Sequence, residues 1–255
     1  LREFGATKEH PLGVQRATYS NSDMESRKWL LEKFAEAGLK AEIDGVGNVY
    51  GKSTHEPRNR KTTILLGSHS DTQPEGGWLD GAMGVIYALE VARAINEDES
   101  TAKKYSVDII SFADEEGTYL GMVGSRMFCN LIDHDKREIE SAIKFSGEES
   151  LIDALERTNL LNRNIVSFDP ERHFAFFEAH IEQGPYLEKM HKKIGVVTGI
   201  VGIRGVKFVL TGEQNHAGTT PMFLRKDAGM QAMILASKIN EEFEIGCRKE
   251  LISPQ

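Results

Sequence analysis

The sequence predicts an α/β fold, a mostly parallel sheet flanked by helices, and three observations predict it. Two short apolar runs, Thr62 to Gly67 and Val107 to Ala113, have the length and composition of buried strands. Between them, Ala82 to Asn96 carries apolar residues at 85, 86, 89 and 92, the spacing of a helix lying on a sheet. Polar, glycine-rich loops separate the three. Such alternation leads to a layered core with parallel strands, and 255 residues are enough to bury a sizeable one in one or two domains.

Taken in order, Ser22 followed by Glu25 reads as a capping box ahead of the stripe Leu30, Leu31, Phe34 and Ala37, with Gly38 placed to end the helix. Lys40 to Asp44 and Val46 to Gly51 read as a hairpin turning at Asp44-Gly45. Thr54 to Lys61 is a polar surface loop, and Leu151 to Leu161 another helix. Phe174 to His180, Ile194 to Val201 and Val206 to Thr211 read as strands, and Lys226 to Asn240 as a helix with Ala228, Ala232, Leu235, Ala236 and Ile239 on its apolar side. Gly195, Gly199, Gly202 and Gly205 punctuate one short region and mark a boundary there. The expected division is therefore 1–202 and 203–255. One strand cannot form a sheet alone, so the second piece is expected to be the start of a domain, and Leu at position 1 favours reading the chain as a fragment.

Lys and Arg total 31 against 39 Asp and Glu, a net charge of −8, which opposes binding to nucleic acid or to an anionic membrane by bulk electrostatics. No apolar run approaches the roughly 18 residues of a membrane span. Two cysteines far apart, Cys129 and Cys247, fit neither a disulfide framework nor a cysteine zinc site. With no secretory signal visible, a reducing, cytoplasmic setting is expected. The G-x-S-x-G, P-loop, G-x-G-x-x-G and H-E-x-x-H patterns are all absent.

A set of imidazoles and carboxylates carries the remaining chemistry. His69 follows one strand, Asp80 precedes a helix, Glu115 and Glu116 follow a second strand, and His180 closes a third. Sites in open α/β sheets form beyond the carboxyl ends of the strands. Taken singly, each residue has a structural explanation: a hydrogen-bonded histidine, a helix N-cap at Asp80, solvated charges at 115 and 116. Together they suit Zn²⁺, Mn²⁺, Co²⁺ or Ni²⁺. A single short Asp can bridge two ions, neighbouring Glu residues can divide ligand and base roles, and Asp71 can accept the second imidazole N–H of His69.

These residues sit in GSHSDTQPEGGWLDGAMGV (67–85), DEEG (114–117), HIEQGP (180–185) and GEQNHAGTTPM (212–222). Four ordered motifs over most of the chain resemble the M20-type metallopeptidase superfamily, and within it the amidase, hydantoinase and carbamoylase branch. The resemblance implies a zinc-exopeptidase-like catalytic domain followed by the start of a smaller α+β lid and dimerisation domain. It also implies two divalent ions, with His69 and His180 on one, Asp80 bridging and Glu116 on the second. Glu115 would be the general base, His216 would polarise the scissile carbonyl, often across a dimer interface, and Gln183 would contact substrate.

The implied substrate is a small ureido or amide acid, and the implied full-length state a homodimer. The family takes its last metal-ligating His and its substrate-carboxylate contacts from later sequence. The chain by itself is accordingly expected to be an incomplete enzyme. An aminoacylase or peptidase of the same superfamily is the nearest alternative, and a non-catalytic binding protein on this fold the alternative from another class.

Overall fold

The computed structural model describes residues 1–8, 12–55, 63–102, 104–132, 137–144, 146–202 and 205–248. Most of the loop expected over Thr54 to Lys61 lies outside them. The chain divides into two compact units, Leu1–Lys193 and Ile194–Gln255, so the expected glycine cluster falls inside the second unit rather than between the two.

The first unit is built on a five-stranded mixed sheet. Its strands are β1 (Leu39–Ile43), β2 (Val49–Ser53), β3 (Thr63–His69), β4 (Ser106–Phe112) and β5 (His173–Phe177), in spatial order β1-β2-β4-β3-β5. β4, β3 and β5 run parallel, and β1 and β2 extend this core as an antiparallel hairpin. The parallel strands are connected through helices, among them α2 (Ala82–Glu97), as a right-twisted sheet requires. Helix α1 (Asn21–Glu36) buries Leu30 and Phe34, and α2 buries Val85, Ala88, Leu89 and Ala92, all in one cluster with Val49, Val107 and Ile109. Short helices α3 (Val123–Phe128) and α4 (Leu151–Arg157) complete this unit's core, α4 starting with a Ser150–Asp153 capping box.

Two local expectations are corrected. The cap of α1 is Ser20, whose side chain accepts from the Asp23 N–H, while Ser22 instead donates to the Gln15 carbonyl at 3.0 Å. Ser20 has the extended backbone that a cap requires. The hairpin turn is wider than an Asp-Gly pair: Asp44 N–H donates to the Asn48 carbonyl, the Asp44 carboxylate accepts the N–H groups of Val46 and Asn48, and positive φ falls at Gly47 rather than Gly45. A buried aspartate that folds its own loop fixes the turn more strongly than the dipeptide does.

In the second unit, helix α5 runs from Ala228 to Arg248. The stretches expected as strands, Ile194 to Val201 and Val206 to Thr211, form no ladder among the described residues. Their sequences favour extended backbone, but a strand exists only where a neighbour accepts its hydrogen bonds.

Candidate metal centre

Three connections bring the cluster together. His69 is the last residue of β3, Glu115 and Glu116 lie just past β4, and His180 lies three residues past β5, so parallel neighbours deliver them to one sheet edge. Asp80 arrives on the loop before α2. The Nε2 atoms of His69 and His180 lie 3.8 and 3.1 Å from Asp80 Oδ1, and His69 Nε2 lies 3.5 Å from Glu115 Oε2. The two imidazoles stack with centroids 5.9 Å apart. Two atoms bound at about 2.1 Å to one tetrahedral ion lie about 3.4 Å apart, and these separations bracket that value. His69, Asp80 and His180 form one group able to hold an ion, and His69, Glu115 and Glu116 another. The donor set thus fits a divalent metal.

The local chain explains the convergence. Asp80 is not spent on the helix: the N-cap of α2 is Gly81, which makes no side-chain cap. Gly81 has φ +61, and a Cβ there would clash with the His69 ring. Gly84 lets α2 approach the Ala179 carbonyl and Ser68, closing the helix onto the start of the His180 segment. Asp114, also at positive φ, accepts the N–H groups of Thr118, Tyr119 and Leu120, and this turns the chain so that Glu115 and Glu116 enter the cluster.

The His69 ring is buried and its Nδ1 faces Asp71. The nearer acceptor there is the Asp71 carbonyl at 3.1 Å, with carboxylate Oδ1 at 3.6 Å, so the expected carboxylate bond is an electrostatic contact instead. This arrangement fixes the proton on Nδ1 and leaves Nε2 for the cluster. Burial opposes the imidazolium, but Asp71, Glu115 and Glu116 outweigh it and raise the His69 pKa to about 9. The same concentrated negative field would favour a bound cation. Burial raises the Glu115 pKa, against the pull of His69. Asp71 is held by the Thr18 hydroxyl at 2.9 Å and by the Glu116 N–H at 3.2 Å.

Gln183, expected at substrate, donates to Asp80 Oδ2 at 2.5 Å. His216 belongs to the second unit, where its Nδ1 accepts the N–H groups of Gly218 and Thr219 at 3.0 and 3.1 Å. That places its ring proton on Nε2.

Several site-building residues were missed by sequence reasoning. Gln73 donates to the Glu116 carbonyl and carboxylate. The Asn48 side chain links Asp44, Ala113 and Gly124, and the Ser68 hydroxyl donates to Glu178 at 2.5 Å. Gln73 was in view inside the first motif; Asn48 and Ser68 act across 65 and 110 residues, a range that no local pattern reports.

The chain is similar to known amidohydrolases and to solved amidases. A family model described as Peptidase family M28 matches residues 48–153. The chain is 33% identical to an N-carbamoyl-L-amino-acid amidohydrolase of Pseudomonas sp. (strain NS671), aligning over 100% of its own length and 60% of that protein. It is 34% identical to allantoate deiminase 1 of Glycine max, over 93% of its own length and 50% of that protein. An amidase of the hydantoinase/carbamoylase family from Burkholderia phymatum superposes with TM-score 0.74 at 45% identity, covering 95% of this chain and 57% of that one. The branch read from the four motifs is thus the one its relatives carry, and the chain spans about three fifths or less of their length.

Proposed function

We propose that the full-length protein is a dinuclear-metal amidohydrolase that cleaves a linear ureido C–N bond of an N-carbamoyl amino acid or a related ureido acid. The observation that carries this reading is the meeting of His69, Asp80, His180, Glu115 and Glu116 at the carboxyl edge of the parallel strands. His69 and His180 would hold one ion, Asp80 would bridge, and Glu116 would serve the second, with Zn²⁺, Mn²⁺, Co²⁺ and Ni²⁺ all matching the donor set. When bound, such ions lower the pKa of water toward about 7 and polarise a carbonyl oxygen.

The protein's own groups do the rest. A ureido carbonyl is a weak electrophile because two nitrogens donate into it. Glu115, partly exposed and with a raised pKa, takes the proton of the attacking water and returns it to the departing nitrogen. His216, its Nε2–H free to donate, would stabilise the developing oxyanion, and Gln183 would pass from Asp80 to substrate. From an N-carbamoyl amino acid the products would be the amino acid, ammonia and carbon dioxide. The second unit is read as the start of a lid and dimerisation domain, and the working form as a cytoplasmic homodimer. Among the described residues no helix is long and apolar enough to cross a membrane.

The test is ammonia release by the full-length polypeptide from N-carbamoyl against N-acyl amino acids, with metal supplied and then chelated. Metal-dependent ammonia release is expected from the carbamoyl series. Hydrolysis of N-acyl substrates alone would instead make it an aminoacylase, and calorimetric binding without turnover would make it a binding protein. Glu115→Gln should keep its metal and lose turnover by about 10²-fold or more.

A further inference from the structure

We infer that Gln73 is a positioning residue that fixes Glu116 as the ligand of the second ion and so separates its task from that of Glu115. The inference rests on the dinuclear reading above. Gln73 lies on the loop that leaves β3, and its Nε2 donates both to the Glu116 carbonyl at 2.8 Å and to Glu116 Oε2 at 3.0 Å. One amide nitrogen carries two hydrogens, so a single group spans main chain and side chain of one residue. From the same loop, Asp71 Oδ2 accepts the Glu116 N–H at 3.2 Å. The loop that begins at His69 therefore holds Glu116 at its N–H, its carbonyl and its carboxylate. A backbone hydrogen bond from Gly76 N–H to the Gln73 carbonyl, 2.9 Å long, keeps the loop folded under that grip.

Glu115 has a different environment. Its close charged contact is His69 Nε2 at 3.5 Å. Adjacent glutamates on an exposed loop would ordinarily interchange. Here one is clamped by an amide donor, with one carboxylate oxygen taken and the other free to ligate, while its neighbour stays available to exchange a proton. Orienting a carboxylate before the cation arrives lowers the ordering cost of binding, which is why outer partners of ligands typically affect metal affinity 10- to 100-fold. Gln73 touches neither substrate nor reacting atoms in this account. It acts through Glu116.

The experiment compares full-length wild type and Gln73→Met, which keeps the length of the side chain and removes the donor, by calorimetric titration of the metal-free proteins with Mn²⁺. Gln73 is exposed, so the thermal midpoint should not move. Wild type should take up two ions per chain. The variant should bind the first ion as wild type does and the second about 10- to 100-fold more weakly. Two ions bound with unchanged affinities would overturn the role of Gln73 while leaving the dinuclear reading in place. Weakening of both ions together with a lowered midpoint would make Gln73 a structural residue and overturn the inference. A wild-type protein that takes up only one ion would overturn the dinuclear reading itself, and the inference with it.

Discussion

The two imidazoles of the centre come from similar places in the sequence, each at the end of an apolar strand, yet the structure holds them by opposite means. His69 ends β3, which has a parallel neighbour on each side, and its side chain is only 3% exposed. Behind it Asp71 is gripped by Thr18 and the Glu116 N–H and lies in the field of Arg27, which pairs with Asp23 at 2.7 Å and also donates to the Gly47 carbonyl. His180 follows β5, the last strand of the sheet among the described residues, whose Phe174 and Phe177 are 72% and 60% exposed. Its Nδ1 is bonded to the carbonyl of the next residue, Ile181, at 2.8 Å, and its side chain is 32% exposed. A central strand passes its position to the residue at its end through ladders on both sides. An edge strand has to be pinned.

The pin lies at the far end of β5. Asp108, fully buried in β4, accepts from Arg172 Nε and Nη2 at 2.7 and 2.8 Å, from His173 Nε2 at 3.0 Å, from the Tyr50 hydroxyl at 2.6 Å and from the Ser53 N–H at 2.8 Å. At the site end the attachment is lighter: Ser68 to Glu178 and Gln183 to Asp80. One half of the centre is thus preorganised by burial, and the other is carried on a strand anchored at its start.

The largest effect should follow from breaking the buried half. Asp71→Ala leaves Thr18 and the Glu116 N–H without their acceptor, strips Arg27 of a neighbouring charge and removes the carboxylate 3.6 Å from His69 Nδ1, while the main-chain carbonyl that accepts from the ring stays. Removing one member of a buried charged network costs about 3–5 kcal/mol. Urea unfolding should show a loss of that size, and Zn²⁺ affinity should fall about 10- to 100-fold. A loss below about 1 kcal/mol would mean that the ladder alone holds His69.

The pin should come next. Its donors, above all Arg172 and His173, outweigh burial and hold the Asp108 carboxyl well below the usual carboxylate range. A depressed carboxylate pKa contributes stability above the unfolded value of about 4, and that contribution is lost as pH falls below it. Asp108→Asn should therefore cost about 1.5–3 kcal/mol at pH 7, the usual worth of hydrogen bonds to a charged group. The gap between wild type and variant in urea midpoint should narrow from pH 7 to pH 3. A gap independent of pH would show that the interaction does not depend on the charge of Asp108.

How much of this could be read in the sequence follows the same division. β3, β4 and α2 were legible because buried parallel strands and the helix covering them need long apolar patterns, and the cluster's imidazoles and carboxylates were legible because they sit where those patterns stop. The supports were not. Thr18 and Asp71 are separated by 53 residues, and Asn48 and Ala113 by 65, and in sequence each looks like an ordinary polar loop residue. Ser20 and Ser22 are equally good caps by composition, and only the backbone entering α1 chooses between them. The second unit's expected strands show the same limit from another side, since pattern reports a strand's preference and pairing decides whether it exists.

The smallest effect on stability should come from the exposed imidazole itself. His180→Ala removes a ring whose Nδ1 bond is to its own neighbour's carbonyl and whose packing partner is the face of His69. A surface truncation of this kind stays within about ±0.5 kcal/mol, and β5 remains tied to Asp108 by Arg172 and His173. An ion held as proposed by His69, Asp80 and His180 would lose one of three protein ligands. Urea unfolding of the metal-free protein should not distinguish the variant from wild type, while Zn²⁺ titration should separate them clearly. A metal-free variant destabilised by more than about 1 kcal/mol would show that the His180 segment helps hold β5 in place, and the division between a preorganised half and a carried half would no longer stand.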